Sequence, residues 1–366
     1  MKIAIIGSKG LPAKYGGVQT VVQETAPIMV SLGHKVTVFG RYYYTQKKRC
    51  VYKGVKVRNV RGIKTKRLDT ITHVLLSTIQ ATFGDFDVIV FHSHVSGFLS
   101  VIPKMFGKKT VLHVHGILSA HKHYGKWNVI DTFAVKFLIL LTRWALDKII
   151  TVSLSQKELT EKIYNREVEV IPNGIKISEK LVEKENEKYF LFVGRIINGK
   201  GLETLISAFL KYLKSYPCTI LKIVGSPVNT QNYLKKLKIM SGDSGAIQFC
   251  GNKTGYELLK LYNNAFCVVI PSEKESFGLV LLEALSRNGV VIASDLEQFK
   301  IMADGFISFF ETNNYNSLFE QMKKLTVDHK YYNYLSEKSL TFSFDSYDWS
   351  NITNSYLTLY YSVLLK

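Results

Sequence analysis

The chain has 366 residues, of which 48 are Lys or Arg and 29 are Asp or Glu, so its formal net charge at pH 7 is +19. Hydrophobic residues make up 46% and charged residues 21%, a globular composition that excludes a disordered chain. This length predicts two domains rather than a single core. The four cysteines form no CxxC or CxxxC pair, which excludes a disulfide scaffold and a zinc ribbon and suits a reducing compartment.

The apolar segments are too short or too charged to target or span a membrane. The apolar run at the N-terminus is shorter than a signal peptide needs, and the most apolar later stretch, Phe133–Val152, is interrupted by four charged residues. We therefore expect a cytoplasmic protein that can touch a membrane from that side. The charge leaves nucleic acid, an anionic membrane surface and phosphorylated small molecules as candidate partners.

In the first half, short β-rich segments alternate with longer helical patterns. The predicted elements, in chain order, are strand Ile3–Ile6, helix Val18–Leu32, strand Lys35–Phe39, helix Leu68–Phe83, strands Val88–Phe91 and Thr110–His115, helix Thr132–Leu146, and strands Ile149–Val152 and Val168–Ile171. Because the strands are almost wholly apolar and are separated by helices, they predict a parallel sheet with both faces covered.

The same alternation restarts in the second half. The predicted elements are strand Tyr189–Val193, helix Leu202–Leu213, strands Thr219–Val224 and Ile247–Cys250, helix Gly255–Asn264, strand Cys267–Ile270, helix Leu279–Arg287 and strand Val290–Ala293. A Pro-Asn-Gly turn at 172–174 and a charged segment after it separate the two series. We therefore expect an α/β chain with one domain over residues 1–172, a second over 173–345, and a docked helix over 346–366.

A glycine-containing loop follows the first strand of each half. In parallel sheets, ligands bind at this carboxyl end of the strands. The first loop ends in Gly16 and Gly17 at a helix N-terminus, which favours an anion, although glycines needed only for a tight turn would look the same. The second loop holds Arg195 and Lys200 before a helix. A guanidinium and an ammonium beside a helix N-terminus predict a diphosphate site, unless both are simply solvated cations.

Two carboxylates lie seven residues apart in the segment that follows the strand Cys267–Ile270. Glu275 lies in the loop, and Glu283 lies in an apolar helical run where an unsatisfied carboxylate is costly. The two hydroxyls of a ribose would satisfy Glu283; the alternative is a surface glutamate paired with Arg287. We expect the N–H groups of residues 277–279 to face the same ligand as Arg195 and Lys200.

In their order along the chain, these segments resemble those of the retaining glycosyltransferases of family 4. The matching segments are Glu275–Glu283 for the E-x7-E signature, Gly194–Gly201 for the GR-x4-KG segment, Val170–Ile175 for the interdomain IPNGI stretch, Leu11–Gly17 for the first glycine loop, and Tyr347–Trp349 with the last helix for the C-terminal segment. The glycine loop is similar to that of a subgroup with bacterial rhamnosyl- and other polysaccharide transferases.

The resemblance implies a GT-B fold, in which two Rossmann-like doubly wound parallel-sheet domains face a cleft and the last helix packs back onto the first domain. It implies that a nucleoside diphosphate sugar is bound mainly by the second domain, with no metal or other cofactor. The implied roles are diphosphate binding by Arg195 and Lys200, closure from the other domain by Gly16 and Gly17, ribose binding by Glu283, donor-sugar contact by Glu275, main-chain donors at Phe277, Gly278 and Leu279, and a place near the anomeric carbon for His115.

Three departures from the family pattern leave the donor sugar open. Gln19 stands where relatives often have a glutamate, Ser286 begins a segment that lacks the usual Ala-Cys-Gly-x-Pro, and no glycine follows Ser294-Asp295. The predicted phosphate and ribose residues are not affected by these changes.

Six of the nine histidines form three H-x-H pairs between positions 92 and 123. Such a pair on a strand points both rings to one face, as metal ligands require. However, no CxxC or HExxH motif accompanies the pairs and carboxylates are scarce nearby, so we expect no metal site. Instead, we expect His115 to line the cleft and His121 and His123 to lie on a loop near the acceptor.

The segment Arg41–Arg67 holds eleven Lys or Arg residues and no acid, interleaved with tyrosines. It can be a solvated face, or it can contact anionic lipid head groups or a diphospholipid acceptor. Since no nucleic-acid-binding module is recognisable, we expect no nucleic-acid partner.

The expected function is transfer, with retention, of a hexosyl or deoxyhexosyl unit from a nucleoside diphosphate sugar to a lipid-linked saccharide in surface polysaccharide or glycoconjugate assembly. The enzyme would be peripheral on the inner face of the cell membrane. The alternatives are a nucleotide-sugar-modifying or NAD-dependent enzyme, against which the missing GxGxxG argues, and a non-catalytic basic membrane-associated adaptor. An adaptor would have no need for two cations and two carboxylates at one site.

Overall fold

A computed structural model of the chain describes residues 1–12, 17–45, 47–63, 68–116, 129–176, 188–227, 230–242 and 245–365. The chain divides into two compact units. Unit 1 comprises Met1–Gly174 and Asp345–Lys366, and unit 2 comprises Ile175–Phe344. Among the described residues, no helix is both long enough and apolar enough to cross a membrane.

Unit 1 alternates strands and helices. Its elements before residue 174 are β1 Lys2–Ile6, α1 Gly17–Ser31, β2 Lys35–Arg41, α2 Tyr42–Thr45, β3 Arg49–Tyr52, β4 Val55–Val60, α3 Leu68–Thr82, β5 Val88–His92, α4 His94–Gly97, a 3-10 turn Phe98–Ser100, α5 Val101–Met105, β6 Lys109–Val114, α6 Val129–Ala145, β7 Lys148–Thr151, α7 Leu154–Tyr164 and β8 Glu169–Val170.

These strands form one eight-stranded sheet in the order β3-β4-β2-β1-β5-β6-β7-β8. Every pair is parallel except β3–β4 at the edge, which is antiparallel. Alternate residues of β1 enter different cores: Ile3 and Ile5 pack with α1 on one face, while Ala4 and Ile6 pack with α3 on the other. The sheet is therefore covered on both faces, as its apolar strands predict.

Unit 2 repeats the alternation with a smaller sheet. Its elements are β9 Tyr189–Val193, α8 Leu202–Leu213, β10 Ile220–Val224, α9 Gln231–Ser241, β11 Ile247–Gly251, α10 Gly255–Asn264, β12 Cys267–Ile270, α11 Leu279–Leu285, β13 Val291–Ser294, α12 Glu297–Ala303, β14 Ser308–Phe310, α13 Tyr315–Val327 and α14 His329–Leu340. The six strands are all parallel, in the order β11-β10-β9-β12-β13-β14. Crossovers on both sides of β9 make this a doubly wound sheet.

The last helix, α15 Trp349–Leu364, belongs to the core of unit 1. Its buried side chains, which include Trp349, Tyr356 and Tyr360, pack with α1 and with strands β1 and β2. Asp348 caps its N-terminus by accepting hydrogen bonds from the N–H groups of Ser350 and Asn351. The chain thus returns to unit 1 after completing unit 2.

The α/β fold of two parallel sheets is confirmed, and most predicted elements lie within a few residues of their observed bounds. The main differences are strands β3 and β4, which lie inside the basic segment Arg41–Arg67 and were not expected. In β4, the exposed Lys56 and Arg58 alternate with the buried Val55 and Val57, so this strand buries one face only, and in the edge strand β3 no residue is fully buried. In addition, β6 ends at Val114, which leaves His115 just past the strand.

Candidate functional site

The two ligand loops of unit 2 interlock at the carboxyl ends of β9 and β12. Gly201, which precedes α8 with a φ of 66°, lies so close to the second loop that an added Cβ would be 1.7 Å from the Pro271 carbonyl oxygen. The N–H of Glu273 donates to the carbonyl of Gly199 at 3.0 Å. Glycine at 201 is therefore required for the two loops to meet.

This contact brings Lys200 and Glu275 together. The Nζ of Lys200 donates to Oε2 of Glu275 at 2.5 Å, and both side chains are less than one-fifth exposed. The other carboxylate oxygen of Glu275 accepts from the N–H of Ser276 at 3.1 Å. The ammonium and carboxylate hold each other in fixed positions at the strand ends, where the ammonium can bind an anion and the carboxylate can accept from hydroxyls.

The Arg195 side chain is solvent-exposed directly after β9 and makes no hydrogen bond or ion pair to any described residue. A guanidinium in this position is available to an incoming anion, and its planar donors suit a phosphate. The structure places Arg195 on the loop that also carries Lys200, as the sequence predicts.

The segment Phe277–Leu279 forms the start of α11. Gly278 has a φ of 104° and is the residue before the helix, while the Phe277 ring is buried and its carbonyl accepts from Gln298 at 3.2 Å. The N–H groups of Gly278 and Leu279 donate to no carbonyl or side chain among the residues described. Helix-terminal N–H groups of this kind are typical donors to phosphate or sugar oxygens.

Glu283 lies on α11 and accepts a 2.7 Å hydrogen bond from the hydroxyl of Tyr262 on α10. Burial raises the pKa of this carboxyl, and the hydrogen bond partly offsets that rise. Glu283 is thus partly buried against Tyr262 rather than fully exposed, and its ribose-binding role stays a prediction. Tyr262 was not foreseen, because nothing in the sequence distinguishes it from the other tyrosines of the chain.

In unit 1, the glycine loop is described only in part. Gly16 lies outside the described residues, whereas Gly17 is exposed and begins α1. An added Cβ at Gly17 would meet nothing within 4 Å, so packing does not require glycine there. Gly7, directly after β1, is tighter, since an added Cβ would lie 2.3 Å from the carbonyl oxygen of His92.

Three histidines meet at the carboxyl ends of β5 and β6. His92 and His113 are neighbours in the sheet, and Nδ1 of His92 lies 2.8 Å from Nε2 of His115. Nε2 of His113 lies 3.4 Å from the hydroxyl of Tyr356 on α15. Burial lowers the pKa of His92 to about 3 and, aided by the neighbouring rings, those of His113 and His115 well below the ordinary value. The three imidazoles are therefore neutral at physiological pH.

The H-x-H pairs do not all behave as the strand pattern predicts. Since β5 ends at His92 and Ser93 has a φ of 89°, His94 begins α4 and its ring leaves the cluster to lie 2.9 Å from the hydroxyl of Tyr164. His121 and His123 lie outside the described residues.

The nitrogen ligand atoms of His92, His113 and His115 all lie within 4.8 Å of one another. In the described part of the chain they form the one group of three side chains that could hold a metal ion. Taken one H-x-H pair at a time, the sequence predicts no metal site; the group of three joins His92 of one pair to both members of another, which the spacing within a pair does not indicate.

Unit 2 therefore holds Lys200 against Glu275 at the carboxyl edge of a doubly wound sheet, with Arg195 on the same loop as Lys200 and Glu283 on the helix that follows Glu275; in α/β proteins this edge is where ligands bind. The two halves of the chain match two family descriptions: Glycosyltransferase Family 4 over residues 15–179 and Glycosyl transferases group 1 over residues 174–341. The chain belongs to this family of GT-B glycosyltransferases.

One relative and two solved structures match nearly the whole chain, and a second relative matches about half of it. An uncharacterized glycosyltransferase of Methanocaldococcus jannaschii is 28% identical over 98% of both chains, and the O-antigen chain mannosyltransferase RfbU of Salmonella typhimurium is 29% identical over 46% of this chain and 48% of its own. The fold is similar to that of a sucrose-phosphate synthase from Thermosynechococcus elongatus, with a TM-score of 0.79 at 19% identity over 100% of this chain and 99% of the other. Anabaena HepE in complex with UDP and glucose also has a TM-score of 0.79, at 17% identity over 99% of this chain and 100% of its own.

Proposed function

We propose that the protein is a retaining, metal-independent glycosyltransferase that moves a hexosyl or deoxyhexosyl unit from a nucleoside diphosphate sugar to a lipid-linked saccharide. The observation that carries this proposal is the interlocked pair of loops in unit 2, which fixes Lys200 against Glu275 on the loop that also presents Arg195. The HepE structure, which holds UDP and glucose, supports the donor class, and RfbU supports a role in surface polysaccharide assembly.

In the proposed complex, Arg195 and Lys200 hold the diphosphate. Glu275 holds the Lys200 ammonium in place by accepting its hydrogen bond. Gly278 and Leu279 donate main-chain N–H groups to phosphate or sugar oxygens, together with Phe277. Glu283 accepts from the ribose hydroxyls, and Glu275 from the hydroxyls of the donor sugar. Gly16, Gly17 and His115 are the unit 1 residues proposed to contact the donor.

The proposed reaction takes place on one face of the sugar. The bond from the anomeric carbon to the diphosphate oxygen breaks, the acceptor hydroxyl oxygen bonds to the same face of that carbon, and the hydroxyl proton moves to the departing phosphate oxygen. Configuration is thereby retained. Two cations and helix N–H groups stabilise the charge that develops on the diphosphate, the role that a metal ion has in other transferases.

The first test removes both cations. Arg195→Ala/Lys200→Ala loses two charge-assisted contacts to the leaving group, so release of nucleoside diphosphate should fall by about 10²-fold or more. Lys235→Ala/Lys238→Ala, on helix α9 of the same unit, removes equal charge and should keep the wild-type rate. An undiminished rate in the first variant would sink the proposed mechanism. Chelation with EDTA should leave the wild-type rate unchanged.

We also propose that the enzyme works on the inner face of the cell membrane, where a lipid-linked acceptor would be presented. The cationic segment Arg41–Arg67 supports this location, because a region with eleven Lys or Arg residues and no acid is attracted to anionic lipid.

A further inference from the structure

Helix α3 and the residue after it present their apolar side chains to solvent. The exposed residues at positions 71–83 are Ile71, Leu75, Leu76, Ile79, Gln80 and Phe83, and the buried ones are His73, Val74, Ser77, Thr78, Ala81 and Thr82. A surface helix of a globular protein normally has the opposite arrangement. The buried hydroxyls are satisfied locally: Thr78 and Thr82 donate to the carbonyls four residues earlier.

The exposed apolar surface continues onto neighbouring helices. The Phe83 ring, 69% exposed, contacts that of Phe106 after α5 at a centroid distance of 4.9 Å. Helix α5 packs against both α3 and α6. On α6, Phe137, Leu140 and Trp144 are exposed at helical spacing while Thr142 is buried. Adjacent helices that expose bulky apolar residues in this way mark an interaction surface.

A cationic pocket of about 340 Å³ adjoins this surface. It is lined by Lys48, Arg49, Arg58 and Arg61 from the β3–β4 edge and by Leu76 and Gln80 from α3, with no carboxylate in its wall. Arg49 and Arg58 are direct cross-strand partners in the antiparallel pair. Like charges placed directly opposite each other destabilise a strand pair. An anion bound between the two guanidinium groups would offset this repulsion.

We propose that this pocket binds the phosphate of an anionic membrane lipid, while the apolar residues of α3, α5 and α6 enter the lipid interface beside it. The pocket supplies the charge complementarity that selects this occupant, and Leu76 contributes to both the pocket and the apolar surface. A second copy of the chain fits poorly, because it would bring two sets of cations face to face. The inference rests on the proposed function only in that both place the enzyme at a membrane.

The test is sedimentation with vesicles in the absence of any sugar donor, so that its result is independent of catalysis. Wild-type protein should bind vesicles of phosphatidylcholine with phosphatidylglycerol, and not vesicles of phosphatidylcholine alone. Raised salt should weaken binding because the charges are exposed. Arg49→Gln/Arg58→Gln should weaken binding by about 30-fold, given the usual contribution of each cation near an anionic surface.

Matched variants separate a specific pocket from overall charge. Lys323→Gln/Lys330→Gln removes the same charge from exposed sites of unit 2 and should bind as wild type. Ile79→Ser/Phe83→Ser should weaken binding by about tenfold or more. Ile239→Ser/Leu340→Ser, at apolar sites that are 82% and 63% exposed in unit 2, should not. All four pairs of substitutions lie at exposed positions, and unchanged melting temperatures would verify folding.

Three outcomes would overturn the proposal. The first is failure of the wild type to bind the anionic vesicles. The second is equal binding by Arg49→Gln/Arg58→Gln and Lys323→Gln/Lys330→Gln. The third is wild-type self-association that Ile79→Ser/Phe83→Ser abolishes, which would assign the surface to a second copy of the chain. Release of nucleoside diphosphate, measured separately without vesicles, reports on the proposed function alone.

Discussion

Glu283 is held by one tyrosine hydroxyl inside a helix whose other side chains are apolar. Burial raises the pKa of the Glu283 carboxyl, and burial, together with the nearby Glu283 carboxyl, raises the pKa of the Tyr262 hydroxyl. The pair therefore joins a carboxyl acceptor to a phenol donor in a poorly solvated place. A carboxylate kept in such a place has unused acceptor positions, which the hydroxyls of a ribose would fill.

Substitutions of Tyr262 and Glu283 should separate the contribution of this pair to stability from its contribution to nucleotide binding. Tyr262→Phe removes the donor and should destabilise unit 2 by about 1–3 kcal/mol, since a buried carboxylate loses a partner. Glu283→Ala should weaken nucleotide binding measured by calorimetry, by more than Tyr262→Phe does. Tyr256→Phe, at an exposed position of the same helix α10, is the control for both measurements. Wild-type nucleotide affinity in Glu283→Ala would assign Glu283 a purely structural role.

The cost of an isolated buried carboxylate singled out Glu283 from the sequence alone. The sequence does not identify Tyr262 as its hydrogen-bond partner, because Tyr262 lies on another helix and the contact depends on how α10 and α11 pack. Tertiary packing also explains why the sequence does not predict the contact of His92 with His113 and His115. That contact depends on which strands are neighbours in the sheet rather than on spacing along the chain. Local patterns identify residue types at strand ends, and tertiary packing decides which of them touch.

Among the elements, the β9–α8 and β12–α11 connections form a single structural feature. Each follows a strand of the same sheet, and Gly201 lets one loop rest on the Pro271 carbonyl of the other. Neither loop can shift without moving the other. The ion pair between Lys200 and Glu275 is therefore a consequence of loop packing as much as of charge attraction.

Gly201→Ala should break this arrangement. The new Cβ would overlap the Pro271 carbonyl and occupy a left-handed backbone conformation, so unfolding free energy in urea should fall by about 3 kcal/mol or more. Gly199→Ala has the same backbone cost, at a φ of 85°, but meets nothing within 4 Å, so it should lose only about 1–2 kcal/mol. Equal losses in the two variants would show that loop contact is not the cause.

The elements were predictable where the hydrophobic pattern is strong, as in β1, β5, β9 and α8. Strands β3 and β4 were not, because eleven cations in the surrounding segment obscure a short alternating pattern at a sheet edge. A strand that buries only one face has an apolar residue at every second position. Its hydrophobic pattern is therefore weaker than that of a central strand, which is apolar throughout. In the sequence, the charge of this segment is therefore a stronger signal than its strand pattern.

At the scale of the whole molecule, buried histidines are confined to unit 1. Burial lowers the pKa of His73 to about 4 and that of His92 to about 3, and it holds the pKa values of His113 and His115 well below normal. The one histidine of unit 2, His329, is exposed. In the unfolded chain each buried histidine would recover an ordinary pKa near 6.5.

Acid should therefore weaken unit 1 before unit 2. Because the unfolded state binds more protons, stability is full above about pH 6.5 and falls below it, by up to about 1.4 kcal/mol per pH unit for each of the four histidines. Hydrogen exchange at pH 7 and pH 5, corrected for intrinsic rates, should show protection falling mainly in unit 1. An equal loss of protection in unit 2 would show that the buried histidines of unit 1 are not the cause. As a control, His329→Gln should leave the protection of both units unchanged at pH 7 and at pH 5.

The return of α15 to the core of unit 1 has a consequence for biosynthesis. Trp349, Tyr356 and Val363 fill the same core as strands β1 and β2, which lie more than 300 residues earlier in the chain. On the ribosome, all of unit 2 emerges before these side chains do. The later half of the protein can thus fold while the earlier half still waits for its final helix, with an apolar face of its first sheet uncovered until synthesis reaches the C-terminal segment.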